Sequence, residues 1–189
     1  MPDEPPVAGD FRPQEILRAL ESHGVQFVVI GGIAATLHGS PHVTTDVDIT
    51  PERGRKNLER LSAALSELGA RIRVAGEPDG FPFSHNWESL QRMQVLNLMT
   101  KHGDLDISFV PSGTRGYEDL RKDAVTLEVM GVKTRVASLA DVVRSKEAAG
   151  RPKDYLTLPT LRGMLEAEAR RRRAGGRGDE HPGWSDRDE

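Results

Sequence analysis

Two glycines and two aspartates form the most informative group in the sequence. Gly31 and Gly32 follow a short apolar run, and thirteen residues separate them from Asp46 and Asp48, which alternate with apolar residues. Because side chains alternate between the two faces of a strand, both aspartates would point to one side. Two carboxylates so close together repel each other unless a cation lies between them. Their hard oxygen ligands suit Mg²⁺ or Mn²⁺, so the pair predicts a metal site on a strand.

The glycine pair indicates a binding site for an anion. Gly31 and Gly32 stand between a predicted strand, residues 26–30, and a short predicted helix, residues 33–38. Such a turn leaves backbone N–H groups uncovered at a helix N-terminus, which suits a triphosphate. The aspartates also have a plainer explanation, since polar and apolar residues alternate on any half-exposed strand.

A third carboxylate favours the metal site over that plainer explanation. Asp106 lies between two apolar residues in another predicted strand, residues 105–110. If this strand neighbours the first, Asp106 completes a cluster of three carboxylates, the arrangement that holds two divalent cations for phosphoryl transfer. Asp104 lies on the same face and is the alternative third ligand.

The elements that must position these residues alternate along the chain. Apolar periodicity and glycine or proline boundaries predict helices and strands throughout the central part of the chain. The predicted helices span 13–23, 33–38 and 58–68, with another opening at Ser138 as a capping box, and the predicted strands span 26–30, 43–50, 71–74, 94–99, 105–110, 124–130 and 133–136. Pro152 and Pro159 each suit a first helical position, so we expect short consecutive helices at the end of the domain. The fold class is therefore α/β, an α+β mixed sheet with a C-terminal helical element.

Composition limits the chemistry that the chain can use. The chain has 189 residues, 37% of them hydrophobic and 29% charged, which is typical of a globular protein. Cysteine is absent, which excludes disulfides, thiolate metal sites and cysteine nucleophiles. No apolar run is long enough to span a membrane, and the acidic, proline-rich start does not resemble a secretory signal. We therefore expect a cytoplasmic protein with no membrane partner.

Charge and composition also suggest the domain boundaries. Residues 1–10 are expected to form a flexible arm, residues 11–169 one domain, with its core in 11–137 and its C-terminal helices in 138–169, and residues 170–189 a disordered charged tail. Six arginines and five acids in the tail leave a net charge of −4 on the rest of the chain. A polyanion would therefore have to bind a local basic rim, for which the candidates are Arg71, Arg73, Arg151 and Lys153.

These motifs resemble the nucleotidyltransferase superfamily with the DNA polymerase β-like fold. Its signature is an apolar residue followed by two small residues, then an Asp pair on a strand, then a later acidic residue on a strand. The resemblance implies a polymerase β-like core and an enzyme that depends on a nucleoside triphosphate and Mg²⁺. It assigns the metal to Asp46, Asp48 and Asp106, and nucleotide phosphates to Gly31, Gly32, Thr44, Thr45 and Lys146.

The chain is similar in particular to bacterial nucleotidyltransferases of the AbiEii and MenT toxin type. His38-Gly39 and Thr44 match their motif before the first aspartates, whereas His42 stands where arginine is usual. Lys146 and Asp154 match a second element of that family.

Lys146 also falls on the stripe of its predicted helix that should face the core, where a lysine needs a partner. A nucleotide phosphate or the acidic cluster is the expected partner. Asp154 is expected to act as an orienting or proton-accepting carboxylate, and with Asp46, Asp48, Asp106 and Lys146 it makes up the predicted catalytic set.

The resemblance implies transfer of a nucleoside monophosphate from a triphosphate to a hydroxyl group. For a toxin-like relative the expected acceptor is the 3′ end of tRNA, and a cognate antitoxin protein is an expected partner. Three alternatives stay open: transfer to a small hydroxylated molecule, transfer to a protein, and a degenerate relative that only binds nucleotide. Relatives that modify proteins open with G-S-x-A-R-G, whereas Gly31-Gly32 is followed here by Ile33-Ala34.

Overall fold

The structure is a computed structural model that describes residues 11–175. The predicted arm, residues 1–10, and residues 176–189 lie outside the described part of the chain. The helices are α1 (Pro13–Ser22), α2 (Gly31–Leu37), α3 (Arg55–Glu67), α4 (Trp87–Arg92), α5 (Tyr117–Leu120), α6 (Leu139–Ala149) and α7 (Pro152–Gly175). The strands are β1 (Phe27–Ile30), β2 (Asp46–Pro51), β3 (Arg71–Val74), β4 (Glu77–Phe81), β5 (Val95–Thr100), β6 (Gly103–Ser108), β7 (Val125–Val129) and β8 (Val132–Val136).

The strands form one mixed sheet in the order β4-β3-β5-β6-β2-β1-β8-β7. The pairs β2–β6 and β1–β8 are parallel, and the other neighbours are antiparallel. The sheet and its helices confirm the predicted α/β class with a mixed sheet and helices at the C-terminal end.

The alternation of residues on β2 and β6 separates a core face from a polar face. Val47 and Ile49 of β2 and Leu105 and Ile107 of β6 are fully buried. They belong to the hydrophobic core that packs under α1 and α3. The intervening aspartates point to the opposite face of the same strands, where carboxylates would otherwise disrupt the core.

The structure corrects several predicted boundaries. Helix α2 begins at Gly31, so both glycines lie inside its first turn and not in a turn before it. The predicted break at Pro159 is wrong, since Pro159 lies inside the single helix α7. Pro159 is exposed, so water can satisfy the carbonyl that loses its helical partner. The domain boundary predicted after residue 169 also falls inside α7, which continues to Gly175.

Helix α6 confirms the predicted capping box. The Ser138 hydroxyl accepts a hydrogen bond from the backbone N–H of Asp141 at 3.1 Å, and the helix ends at Gly150 in the left-handed conformation (φ 57°).

Elements β4, α4 and α5 are short and were not predicted. Among the described residues, no helix combines the length and apolar character that a membrane crossing requires.

Candidate active site

The polar face of the sheet opens into a cleft of about 480 Å³. Its floor is formed by the ends of β1 and β2 and by parts of β5 and β6, and its wall by α2, α6 and the start of α7. The residues predicted to carry chemistry that line this cleft are Gly31, Gly32, Thr44, Asp46, Asp48, Asp106 and Lys146. Residues far apart in the sequence therefore meet in one place.

Three carboxylates converge on the floor of the cleft. Asp48 and Asp106 are register partners on the parallel strands β2 and β6, and Asp46 lies two residues earlier on the same face of β2. One oxygen from each of the three lies within 4.8 Å of the others. An all-oxygen set of this geometry fits a hard divalent cation such as Mg²⁺. Within residues 11–175, no other group of three His, Asp or Glu residues is arranged to hold a metal.

The electrostatics of the cluster favour a bound cation. Burial raises the pKa of Asp48 to about 6, and the negative charges of Asp46 and Asp106 add to the effect. The N–H of Gly32 and the charge of Lys153 oppose it. Burial also raises the pKa of Asp106, although the charge of Arg73 acts against it. Carboxylates whose ionised forms are disfavoured gain most from a divalent cation between them.

Arg73 distinguishes the two candidates for the third metal ligand. Its guanidinium, on β3, donates to both carboxyl oxygens of Asp106 at 2.7 and 3.0 Å and also to Asp104. Asp104 is the register partner of Asp46, but it does not belong to the carboxylate cluster. The geometry therefore favours Asp106 as the ligand and makes Asp104 a second partner of Arg73.

The two glycines allow the start of α2 to approach the aspartates closely. Gly31 has a φ of +64°, and a Cβ placed there would lie 2.1 Å from an oxygen of Asp48. A Cβ on Gly32 would lie 2.5 Å from the hydroxyl oxygen of Thr44. The Thr44 hydroxyl in turn donates to a carboxyl oxygen of Asp46 at 2.6 Å. Only residues without a side chain fit at these two positions.

Thr45 and His42 lie at the edge of this arrangement. Thr45, predicted to bind phosphate, is exposed and does not line the cleft, in contrast to its neighbour Thr44. His42 is exposed and does line the cleft. The imidazole therefore stands in the cleft wall at the position where the toxin-type motif has arginine.

Lys146 has a protein partner that the sequence did not reveal. Its ammonium nitrogen lies 3.0 Å from one oxygen of Asp154, and the Arg151 guanidinium lies 2.8 Å from the other. Asp154 is completely buried and does not line the cleft, whereas Lys146 and Arg151 do. Burial alone would raise the pKa of Asp154, but hydrogen bonds from Arg151 and Lys146 outweigh it and hold the pKa below its usual value. Asp154 is thus placed to position Lys146 and not to contact a substrate.

Two of the predicted rim residues lie in the cleft and two lie outside it. Arg151 and Lys153 line the cleft, whereas Arg71 donates to backbone carbonyls of Asp79 and Gly80 in the neighbouring strand β4. Arg73 is occupied by its two carboxylates, as described above. Sequence reasoning missed Asn97, because one polar residue between leucines on a strand carries no distinctive signal.

Comparison with solved structures relates this architecture to known proteins. The structure of ANT(2″)-Ia in complex with adenylyl-2″-tobramycin matches with a TM-score of 0.54 and 16% identity over 83% of this chain and 89% of that chain. The lincosamide antibiotic adenylyltransferase LnuA, lincomycin-bound, matches with a TM-score of 0.55 and 16% identity over 82% of this chain and 99% of that chain. No protein-family model matches the chain, and a search of curated proteins gives no match. The resemblance to AbiEii and MenT toxins stays a prediction, but the chain has the nucleotidyltransferase fold that its motifs predict.

Proposed function

We propose that the protein is a nucleotidyltransferase that moves a nucleoside monophosphate from a nucleoside triphosphate to a hydroxyl group. The observation that carries this proposal is the convergence of three carboxylates on the floor of one cleft. The glycines at the start of α2 and the cation Lys146 border the same cleft. Together these groups meet the electrostatic needs of phosphoryl transfer.

The triphosphate is assigned to the side of the cleft formed by α2, α6 and α7. The start of α2 at Gly31 and Gly32 and the ammonium groups of Lys146 and Lys153 border that side. Lys146 is held in place by Asp154, so its charge is already oriented when the nucleotide arrives. Donors fixed before the reaction stabilise developing charge without a reorganisation cost.

The carboxylates of Asp46, Asp48 and Asp106 would hold Mg²⁺ or Mn²⁺, which neutralises phosphate charge when it is bound. In the transfer, the acceptor oxygen forms a bond to the α-phosphorus while the bond from that phosphorus to the bridging oxygen of the β-phosphate breaks. Pyrophosphate carries away the electron pair, and the hydroxyl proton passes to a carboxylate oxygen of Asp106. Asp106 is assigned this role because, of the three carboxylates, it lies on β6, the strand beside β5.

The acceptor has two candidates. The two structural neighbours hold adenylyl-2″-tobramycin and lincomycin, which favours a small hydroxylated molecule. The match of Lys146 and Asp154 to the toxin-type element favours the 3′ end of tRNA, with a toxin role and an antitoxin partner. Growth of bacteria that express the wild-type chain or its Asp48→Ala variant tests the toxin role. Arrest with the wild type alone, together with labelled tRNA, would support it.

The test of the transferase activity uses the four triphosphates labelled at the α-phosphate. With Mg²⁺ we expect pyrophosphate release in the presence of an acceptor, and no release with excess EDTA. Asp46→Ala, Asp48→Ala and Lys146→Ala should remove the activity, whereas Asp123→Ala, which changes an exposed aspartate outside the cleft, should keep it.

A melting experiment adds evidence that does not depend on an acceptor. Mg²⁺ and triphosphate together should raise the melting temperature more than either does alone, because each neutralises charge on the other. Full activity in all three site variants would overturn the proposal. Absence of a joint thermal shift would favour a degenerate relative.

A further inference from the structure

A row of uncharged side chains continues the floor of the cleft beyond the three carboxylates. Val95 and Asn97 of β5 are the register partners of Ser108 and Asp106 on β6, so their side chains lie on the same face of the sheet as the aspartates. Val110 follows two residues after Ser108, and all four uncharged residues line the cleft. We refer to Val95, Asn97, Ser108 and Val110 as the acceptor face.

This face is open to solvent although half of it is apolar. Val95 is 59% exposed and Val110 is 52% exposed, while Leu96 and Leu98 on the other face of β5 are buried in the core. Asn97 is exposed, and its side-chain amide lines the cleft. Two exposed valines and an exposed amide, inside the cleft and beside the carboxylates, offer a ligand both apolar contacts and hydrogen bonds.

The order of the strands determines which substrate reaches this face. Gly31 follows β1, which neighbours β2 on one side, whereas β6 and β5 lie on the other side of β2. The triphosphate donors therefore lie on one side of Asp46 and Asp48, and the acceptor face lies on the other. Because phosphoryl transfer places the attacking and leaving oxygens roughly in line, an acceptor enters opposite the departing pyrophosphate. That position is the acceptor face.

The side chains on and beside the acceptor face indicate which charge an acceptor can carry. None of its four residues is charged, and the next cleft residues along the chain, Pro111, Ser112 and Thr114, are uncharged as well. On the β3 side of β5, the guanidinium of Arg73 already binds Asp104 and Asp106. The acceptor face itself therefore offers no positive side chain to a chain of phosphates, whereas Lys146, Arg151 and Lys153 line the α6 and α7 wall of the cleft. Binding of a polyanion depends on such charges.

We infer that the acceptor is a small, uncharged, hydroxylated molecule with an apolar portion, and that Asn97 and Val95 determine its specificity. Asn97 hydrogen-bonds the polar part beside the reacting hydroxyl, and Val95 and Val110 contact the apolar part. This inference rests on the proposed nucleotidyl transfer. The acceptor oxygen bonds to the α-phosphorus, pyrophosphate leaves with the bond's electrons, and the proton goes to Asp106.

Acceptor competition tests the inference. The enzyme with Mg²⁺ and α-labelled triphosphate is offered three probe sets: neutral compounds (hexyl β-glucoside, uridine, chloramphenicol), hydroxylated amines (kanamycin, tobramycin) and a tRNA transcript. We expect labelled product from the neutral set. Product only from the amines or the tRNA would overturn the inference and keep the proposed transferase. No pyrophosphate release with any set, and no joint thermal shift with Mg²⁺ and triphosphate, would overturn both.

Variants separate the acceptor face from the rest of the cleft. Val95→Lys and Asn97→Leu should each raise the KM for the neutral acceptor at least tenfold and leave the KM for the triphosphate unchanged. Val125→Lys is the matched control, because Val125 is an exposed valine on the edge strand β7 outside the cleft. An unchanged acceptor KM in both variants, with melting temperatures equal to that of the wild type, would overturn the assignment of this face.

Discussion

The ammonium nitrogen of Lys146 lies 3.0 Å from a carboxyl oxygen of Asp154, which is completely buried at the start of α7. Arg151 occupies the other oxygen of the same carboxyl group. One buried negative charge therefore fixes a lysine that faces the cleft and an arginine at its rim. Lys146 in α6 and Arg151 between α6 and α7 thus place two positive charges on the side of the cleft proposed to bind the triphosphate.

Replacing Asp154 should weaken both stability and nucleotide binding. Asp154→Asn keeps the shape but leaves two neighbouring cations without their counter-charge, which we expect to cost about 3 kcal/mol of the free energy of unfolding. Urea denaturation measures this loss, and the KM for the triphosphate should rise because Lys146 is no longer oriented. Glu147→Gln is the control, since the exposed pair of Glu147 with Arg162 should contribute less than about 1 kcal/mol. Equal losses in the two variants would contradict the role given to Asp154.

The sequence was sufficient to predict the relative positions of site residues that lie close together in the chain. Asp46 and Asp48 share a face because of strand alternation alone, and the glycines were predicted from their place between a strand and a helix. The α/β class, with strands and helices near their predicted positions, followed from apolar periodicity in the same way.

Residues brought together by the order of the strands could not be predicted. Arg73 meets Asp106 because β5, which follows later in the chain, lies between β3 and β6. Apolar periodicity contains no information on strand order, so it could not predict that Arg73 and Asp106 would meet. The contact of Lys146 with Asp154 likewise depends on how α6 and α7 are placed against each other.

Gly31 should tolerate no side chain. Gly31→Ala combines a left-handed backbone with a Cβ that would overlap Asp48, so we expect loss of activity and of more than about 2 kcal/mol of stability. Gly69→Ala is the control, because Gly69 has a similar φ of +61° but open space around it. That variant should lose only about 1 kcal/mol and keep its activity. Comparable behaviour of the two variants would mean that backbone strain alone, and not the approach to Asp48, explains the glycine.

Arg73 should supply part of the positive charge that stabilises the carboxylate cluster when no metal is bound. Arg73→Ala leaves Asp104 and Asp106 without a cation beside Asp46 and Asp48, so the melting temperature without metal should fall. Addition of Mg²⁺ should then raise the melting temperature of the variant by more than that of the wild type, because the metal replaces the missing charge. Arg71→Ala, on the same strand but bonded to backbone carbonyls, should show the wild-type response. A smaller Mg²⁺ response in Arg73→Ala would contradict this account.

The stability of the metal-free protein should depend on pH through Asp48. Its pKa is raised from 3.8 to about 6, so the folded protein binds the proton more tightly than the unfolded chain does. The stability associated with the protonated form is present below pH 3.8 and is lost as the pH rises through about 6. A shift of this size corresponds to roughly 2 kcal/mol after allowance for partial exposure of the side chain.

Denaturation in EDTA across the range from pH 4 to pH 8 measures this effect as the difference between the wild type and Asp48→Asn. Asp48→Asn has no charge to bury. Its free energy of unfolding, relative to that of the wild type, should therefore increase as the pH rises to about 6 and stay at a constant difference above that pH. With Mn²⁺ in place of EDTA, the order should reverse at neutral pH, because only the ionised Asp48 of the wild type provides a full ligand charge for the metal. A stability difference that does not change with pH would show that Asp48 titrates like an exposed carboxyl group, and the electrostatic case for a cation at this cluster would fail.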